Sequence, residues 1–105
     1  MKRLELVMQR RACERIPVNI SVRLVLGNMF YAGEITNISE TGVFIQTVLT
    51  PPPQAMFTIL VQNGNSLLQF FARVKWINGS NGLTKGMGSE ILNPSTNYLN
   101  YANGQ

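Results

Sequence analysis

The chain has 105 residues, enough for one ordinary domain and too few for two, and its 45% hydrophobic and 13% charged composition is that of a globular protein. It has no histidine and no aspartate, and its only cysteine is Cys13. A Ser/His/Asp or Cys/His nucleophile system therefore lacks its base, a structural zinc lacks its ligands, and an internal disulfide is impossible, so we expect no enzyme, no metal and no cofactor. Nine basic against five acidic residues give a net charge of +4, which favours an anionic partner. The basic residues cluster: Arg10, Arg11 and Arg15 fall close together near the start, and the others are scattered.

Residues 1–9 suggest a short helix with Leu4, Val7 and Met8 on one side. They are no signal-peptide core, and no apolar run is long enough to span a bilayer, so a cytoplasmic location without membrane insertion is expected. Ile16, Val18, Ile20, Val22, Leu24 and Leu26 then alternate with mostly polar residues, the period of a strand with one buried face. Gly27-Asn28 reads as a two-residue hairpin turn. A second strand is expected over 29–38 and a third over 42–48. Pro51-Pro52-Pro53 removes three backbone donors and marks an extended connection.

A fourth strand is expected over 54–62, followed by the turn signal Asn63-Gly64-Asn65. The fifth places Leu68, Phe70, Ala72, Val74 and Trp76 on one face, with Gln69, Arg73 and Lys75 opposite. On that pattern Trp76 reads as core or rim packing. Phe44, Phe57, Phe70 and Phe71 also read as packing, although Phe71 falls on the polar face of its strand. Residues 78–82 form a loop, a sixth strand runs over 85–92, and a short capped helix is expected over 95–101. Six strands joined by short connections, with no long helix between them, predict an all-β single domain, an antiparallel barrel or sandwich.

Two segments bear on function. Arg11 and Arg15 lie four residues apart just before the first strand, where a connecting segment can swing over the barrel end. Arginine's planar fork of donors matches phosphate oxygens and the O6/N7 edge of guanine. A solvated basic patch is the plainer reading of the pair alone. Asn37-Ile38-Ser39-Glu40-Thr41-Gly42 lies between strands two and three. Its Asn, Ser and Gly suit a tight turn, with glycine free to take positive φ, and such a turn can also aim the Asn37 amide and Ser39 hydroxyl at a ligand.

Together these segments resemble the PilZ family, which carries R-x-x-x-R before its first strand and [D/N]-x-S-x-x-G between its second and third. Gly86-Met87-Gly88 is similar to the late G-x-G strand of that family, and the likeness covers about residues 10–92. The resemblance implies a six-stranded antiparallel barrel with short terminal helical segments that binds cyclic di-GMP. Arg11 and Arg15 would clamp phosphates and guanine edges, Asn37 and Ser39 would hydrogen-bond a guanine, and Gly42 would keep the turn. Asn37 stands where many members have aspartate, which keeps an acceptor and loses a charge. Arg10, just before the arginine segment, resembles members that bind two stacked ligands per chain. A receptor of this kind relays its signal to a separate protein partner. Two other readings stay open on the residues alone: a small basic β-barrel that binds single-stranded nucleic acid, and a PilZ-like adaptor without ligand.

Overall fold

The protein is described here from a computed structural model, over residues 15–49, 51–78 and 86–105. Six strands, β1 (Ile16–Leu26), β2 (Met29–Ile38), β3 (Gly42–Gln46), β4 (Met56–Asn63), β5 (Ser66–Asn78) and β6 (Gly86–Ile91), are followed by one helix, α1 (Thr96–Asn103). The strands close into a barrel in the order β1-β2-β3-β6-β5-β4, with every neighbouring pair antiparallel. Closure resolves the choice between barrel and sandwich and leaves no sheet edge unpaired.

The alternating apolar residues fill the interior. Leu24, Ile38, Val43, Ile45, Ile59, Val61, Ala72, Val74 and Met87 are fully buried. Because these positions are occupied by aliphatic side chains, the barrel is a packed core with no room for a ligand inside. Any binding surface has to be built on the outer face or at an end. Two hairpins follow the turn signals closely. Leu26 pairs with Met29 around Gly27, and Asn63 with Ser66 around Gly64. Both glycines have φ of +62°, while Asn28 and Asn65 stay out of the left-handed region, the pattern of a type II′ turn.

Strand ends differ from the sequence expectation for local reasons. Strand β3 stops at Gln46 because the Thr47 hydroxyl donates to the Ala32 carbonyl (2.9 Å) and accepts from the Leu49 amide (3.3 Å), which turns the chain out of the ladder. Strand β4 starts at Met56, not residue 54, because Gln54 has φ of +70° and cannot be extended. Strand β6 ends at Ile91, and Asn93 at φ +47° turns the chain toward the helix. Helix α1 is capped by Ser95, whose side chain accepts from the Tyr98 amide, as the Ser95 start suggests. The expected helix over residues 1–9 and the start of the sixth strand at Lys85 lie outside the described residues. Among the described residues no helix is long and apolar enough to cross a membrane.

Ile59, on β4 and fully buried, is a direct probe of this core. Ile59→Ala should lower the unfolding free energy by about 2–5 kcal/mol in urea titrations, with little change in the steepness of the transition.

Candidate ligand-binding face

One row of residues crosses the outer surface of five strands. Pro17 of β1 pairs with Asn37 of β2, Asn37 with Phe44 of β3, Phe44 with Gly88 of β6, and Gly88 with Trp76 of β5. The β1–β2 pairing is irregular between Pro17 and Ile20, and two further β-bulges bring Asn37 and Trp76 into this row. The register of β2 against β3 shifts between Ile35 and Asn37, and that of β5 against β6 between Val74 and Trp76. Each inserts a residue, Thr36 or Lys75, so the next side chain points to the opposite face from the one alternation dictates. Ile35 and Val74 therefore point inward while Asn37 and Trp76 reach the outside. Trp76 is consequently 49% exposed, which corrects its sequence assignment to the packed face of the fifth strand.

The glycines of Gly86-Met87-Gly88 act on the same surface. Met87 points inward and is fully buried, so the two glycines face outward. A Cβ on Gly86 would overlap the Phe44 ring, and a Cβ on Gly88 would overlap the Trp76 indole. Their absence lets the two aromatic rings lie over the β6 backbone, with centroids 5.4 Å apart and planes 34° apart. Phe44 is thus half-buried against Trp76. Phe57 and Phe70 are core as expected, whereas Phe71 is 53% exposed and does not pack inside.

At the other end of the row, Arg15 immediately precedes β1. Its Nη1 donates to Asn37 Oδ1 at 2.7 Å, which fixes the guanidinium beside the row. Here asparagine serves as well as aspartate in one respect: the Arg15 contact needs only a carbonyl acceptor. Among the described residues no carboxylate pairs with Arg15. Glu40 instead accepts from Asn103 Nδ2 at 2.9 Å, and Glu90 lies 3.8 Å from Lys75 Nζ in an exposed pair of little energetic weight.

The turn after Asn37 is held from within. Ser39 is 5% exposed, and its hydroxyl accepts from the amides of Gly42 (3.1 Å) and Thr41 (3.3 Å), while its own amide donates to the Gly42 carbonyl at 2.9 Å. The hydroxyl expected to meet a guanine is turned inward here and shapes the turn. Gly42 is also a glycine for another reason than expected. Its φ is not in the left-handed region, but a Cβ would sit 2.7 Å from the Ser89 carbonyl oxygen across the β3–β6 pair. The same position lies 3.9 Å from Arg15 Nη2, so Gly42 also leaves space beneath the guanidinium.

The structure thus brings Arg15, Asn37, Ser39 and Gly42 together, and adds Phe44 and Trp76, which the sequence pattern assigns to packing. Arg10, Arg11 and Cys13 lie outside the described residues. The signal that could have located the aromatic pair is Gly86-Met87-Gly88 itself: outward glycines on a strand of a closed barrel need something to cover them.

Comparison with known proteins agrees with this layout. The PilZ domain pattern matches residues 9–101, and the chain belongs to the PilZ domain family. No curated protein is a significant match. Among solved structures, the PilZ domain with c-di-GMP of YcgR from Escherichia coli superposes with a TM-score of 0.68 at 16% identity, over 86% of this chain and 83% of that one. The Bacillus subtilis inhibitor of motility (MotI/DgrA) also superposes with a TM-score of 0.68, at 14% identity over 84% of this chain. This chain spans 44% of that protein's length. At these identities the likeness is one of fold.

Trp76 is the sole tryptophan and so reports on its own shelf. Gly88→Ala should displace the indole, shift the tryptophan emission toward that of a fully solvated ring, and cost about 1–3 kcal/mol of stability through forced repacking. Unchanged emission and unchanged urea midpoint would mean the glycine does not seat the ring.

Proposed function

We propose that this chain is a cytoplasmic receptor for cyclic di-GMP that does no covalent chemistry and relays occupancy to a protein partner. The observation that carries the reading is the five-strand row. It sets a guanidinium held by Asn37, with no carboxylate on it among the described residues, and an open aromatic shelf on one face of a barrel whose interior is full. Cyclic di-GMP combines two phosphates with two guanines. Arg15 offers charge and paired donors to a phosphate or a guanine edge, and the Trp76 indole offers a flat surface on which a base can stack. Arg11, one helical-turn spacing before Arg15, would supply a second guanidinium. Membership of the PilZ family supports the ligand, as does the YcgR PilZ domain, a neighbour in fold that was solved with c-di-GMP. One structural neighbour is an inhibitor of motility, so motility is one output compatible with the proposal.

Asn37 and Ser39 have distinct roles in this reading. Asn37 holds Arg15 in place through its oxygen and offers its amide hydrogens to the ligand. Ser39 and Gly42 keep the turn that presents Asn37. The exposed Phe44–Trp76 pair is also a feature that a reader of single-stranded nucleic acid carries. Such a reader stacks successive bases along a groove, however, and the row holds a single shelf. A short oligonucleotide therefore belongs in the experiment as a competitor.

Calorimetry of the full chain should show cyclic di-GMP binding and no comparable heat from the oligonucleotide. Arg15→Ala should weaken that binding by about 1.5–3 kcal/mol, the range of a hydrogen bond to a charged group. Trp76→Ala should weaken it by about 1–3 kcal/mol through lost stacking. Unchanged affinity in both variants would remove this face from the site.

Stoichiometry rests on Arg10. Two stacked ligands bring four phosphate charges together, and a third guanidinium offsets part of that repulsion. We expect two ligands per chain at saturation and a fall toward one in Arg10→Leu. One ligand per wild-type chain, or two in both proteins, would take Arg10 out of the account.

A further inference from the structure

The C-terminal helix supports the candidate site from behind. Tyr98 lies in the first turn of α1 and is 1% exposed, yet it carries a polar hydroxyl. Its ring packs edge-on against Phe70 of β5, with centroids 4.8 Å apart and planes 84° apart. That packing directs the hydroxyl to a point 59 residues earlier in the chain, where it donates to the Ser39 carbonyl at 2.6 Å and lies 3.5 Å from the Gly42 carbonyl. A second side chain of the same helix, Asn103, donates to Glu40 in the middle of this turn.

We infer that Tyr98 is a positioning residue of the ligand site: its hydroxyl fixes the Ser39–Gly42 turn, and with it the Asn37 side chain that holds Arg15. Inside the turn, Ser39 is tied through its amide and its hydroxyl, and both ties run to the turn's own backbone. Tyr98 ties the Ser39 end of the turn to the helix from inside the fold, whereas the Ile91 amide holds the Thr41 carbonyl at 2.9 Å and Asn103 reaches Glu40 at the exposed surface. Its hydrogen bond is short and buried, where a lost partner costs more than it does at the surface. Burial also pushes the phenol's pKa above its ordinary value, against the opposing charge of Arg15, so the group stays a donor throughout the neutral range. A phenylalanine would fill the same space against Phe70, so packing alone does not require the hydroxyl.

The affinity part of this inference rests on cyclic di-GMP being the ligand; the turn-ordering part does not. The test compares Tyr98→Phe with Val61→Ala, a core change on β4 remote from the turn, in the full chain. Amide hydrogen exchange without ligand and calorimetry with cyclic di-GMP are measured on both. Tyr98→Phe should speed exchange at the Ser39, Thr41 and Gly42 amides well beyond any general rise, and weaken cyclic di-GMP roughly three- to tenfold. Val61→Ala should lower the melting temperature at least as far, leave those three amides no faster than the rest of the barrel, and bind as the wild type does. Turn exchange in Tyr98→Phe that follows the barrel average would overturn the inference, as would equal loss of affinity in the two variants. If the wild type itself binds no cyclic di-GMP, the proposed function fails, and the exchange comparison alone decides the role of Tyr98.

Discussion

A closed six-stranded barrel with an aliphatic interior has no inside to offer a ligand, and every functional side chain must be moved to its surface. Two inserted residues do this. The bulge at Thr36 delivers Asn37 to the outer face, and the bulge at Lys75 delivers Trp76. Both side chains then fall on one cross-strand row with Phe44 and the backbone of Gly88 between them. Were the same residues paired without bulges, strict alternation would put Trp76 on the inner face with Val74, in a core already filled by Met87 and Ile45, and Asn37 on the inner face with Ile35.

This dependence explains what could be read from the sequence. The inner face was legible because period-2 alternation survives along most of each strand, as in Val22 and Leu24 or Phe70, Ala72 and Val74. The hairpins were legible because Gly27 and Gly64 take the φ that their turns require. Trp76 was not, because a bulge leaves the composition of a strand intact and changes only its parity. Gly42 was legible as necessary but not in its cause. Positive φ and close approach of a carbonyl both select glycine, and only the β3–β6 pairing, Gly42 with Glu90, shows that the Ser89 carbonyl oxygen lies where a Cβ would sit. The contact of Tyr98 with the turn was not legible because its partner lies 59 positions away and no local pattern links them.

The polar residues of the Asn37–Gly42 segment divide their work. Asn37 faces outward to Arg15, while Ser39 faces inward and satisfies the backbone of a tight turn. A serine hydroxyl used in this way contributes order more than contact. Among the described residues, Glu40 accepts from Asn103 and Glu90 lies toward Lys75, so neither engages Arg15. The site is therefore basic through the placement of a few charges, with only a modest excess of +4 over the whole chain.

The central claim is that cyclic di-GMP occupies the outer row from Arg15 to Trp76. Nuclear magnetic resonance of the labelled full chain during titration with cyclic di-GMP tests it most directly. Binding there gives the largest shifts at the Trp76 indole N–H, the Gly86 and Gly88 amides and the Asn37 side-chain amide, with Gly27 and Gly64 at the hairpin tips unmoved. Shifts that centre on the hairpin tips, or saturation with the Trp76 and Gly88 signals unchanged, would contradict it.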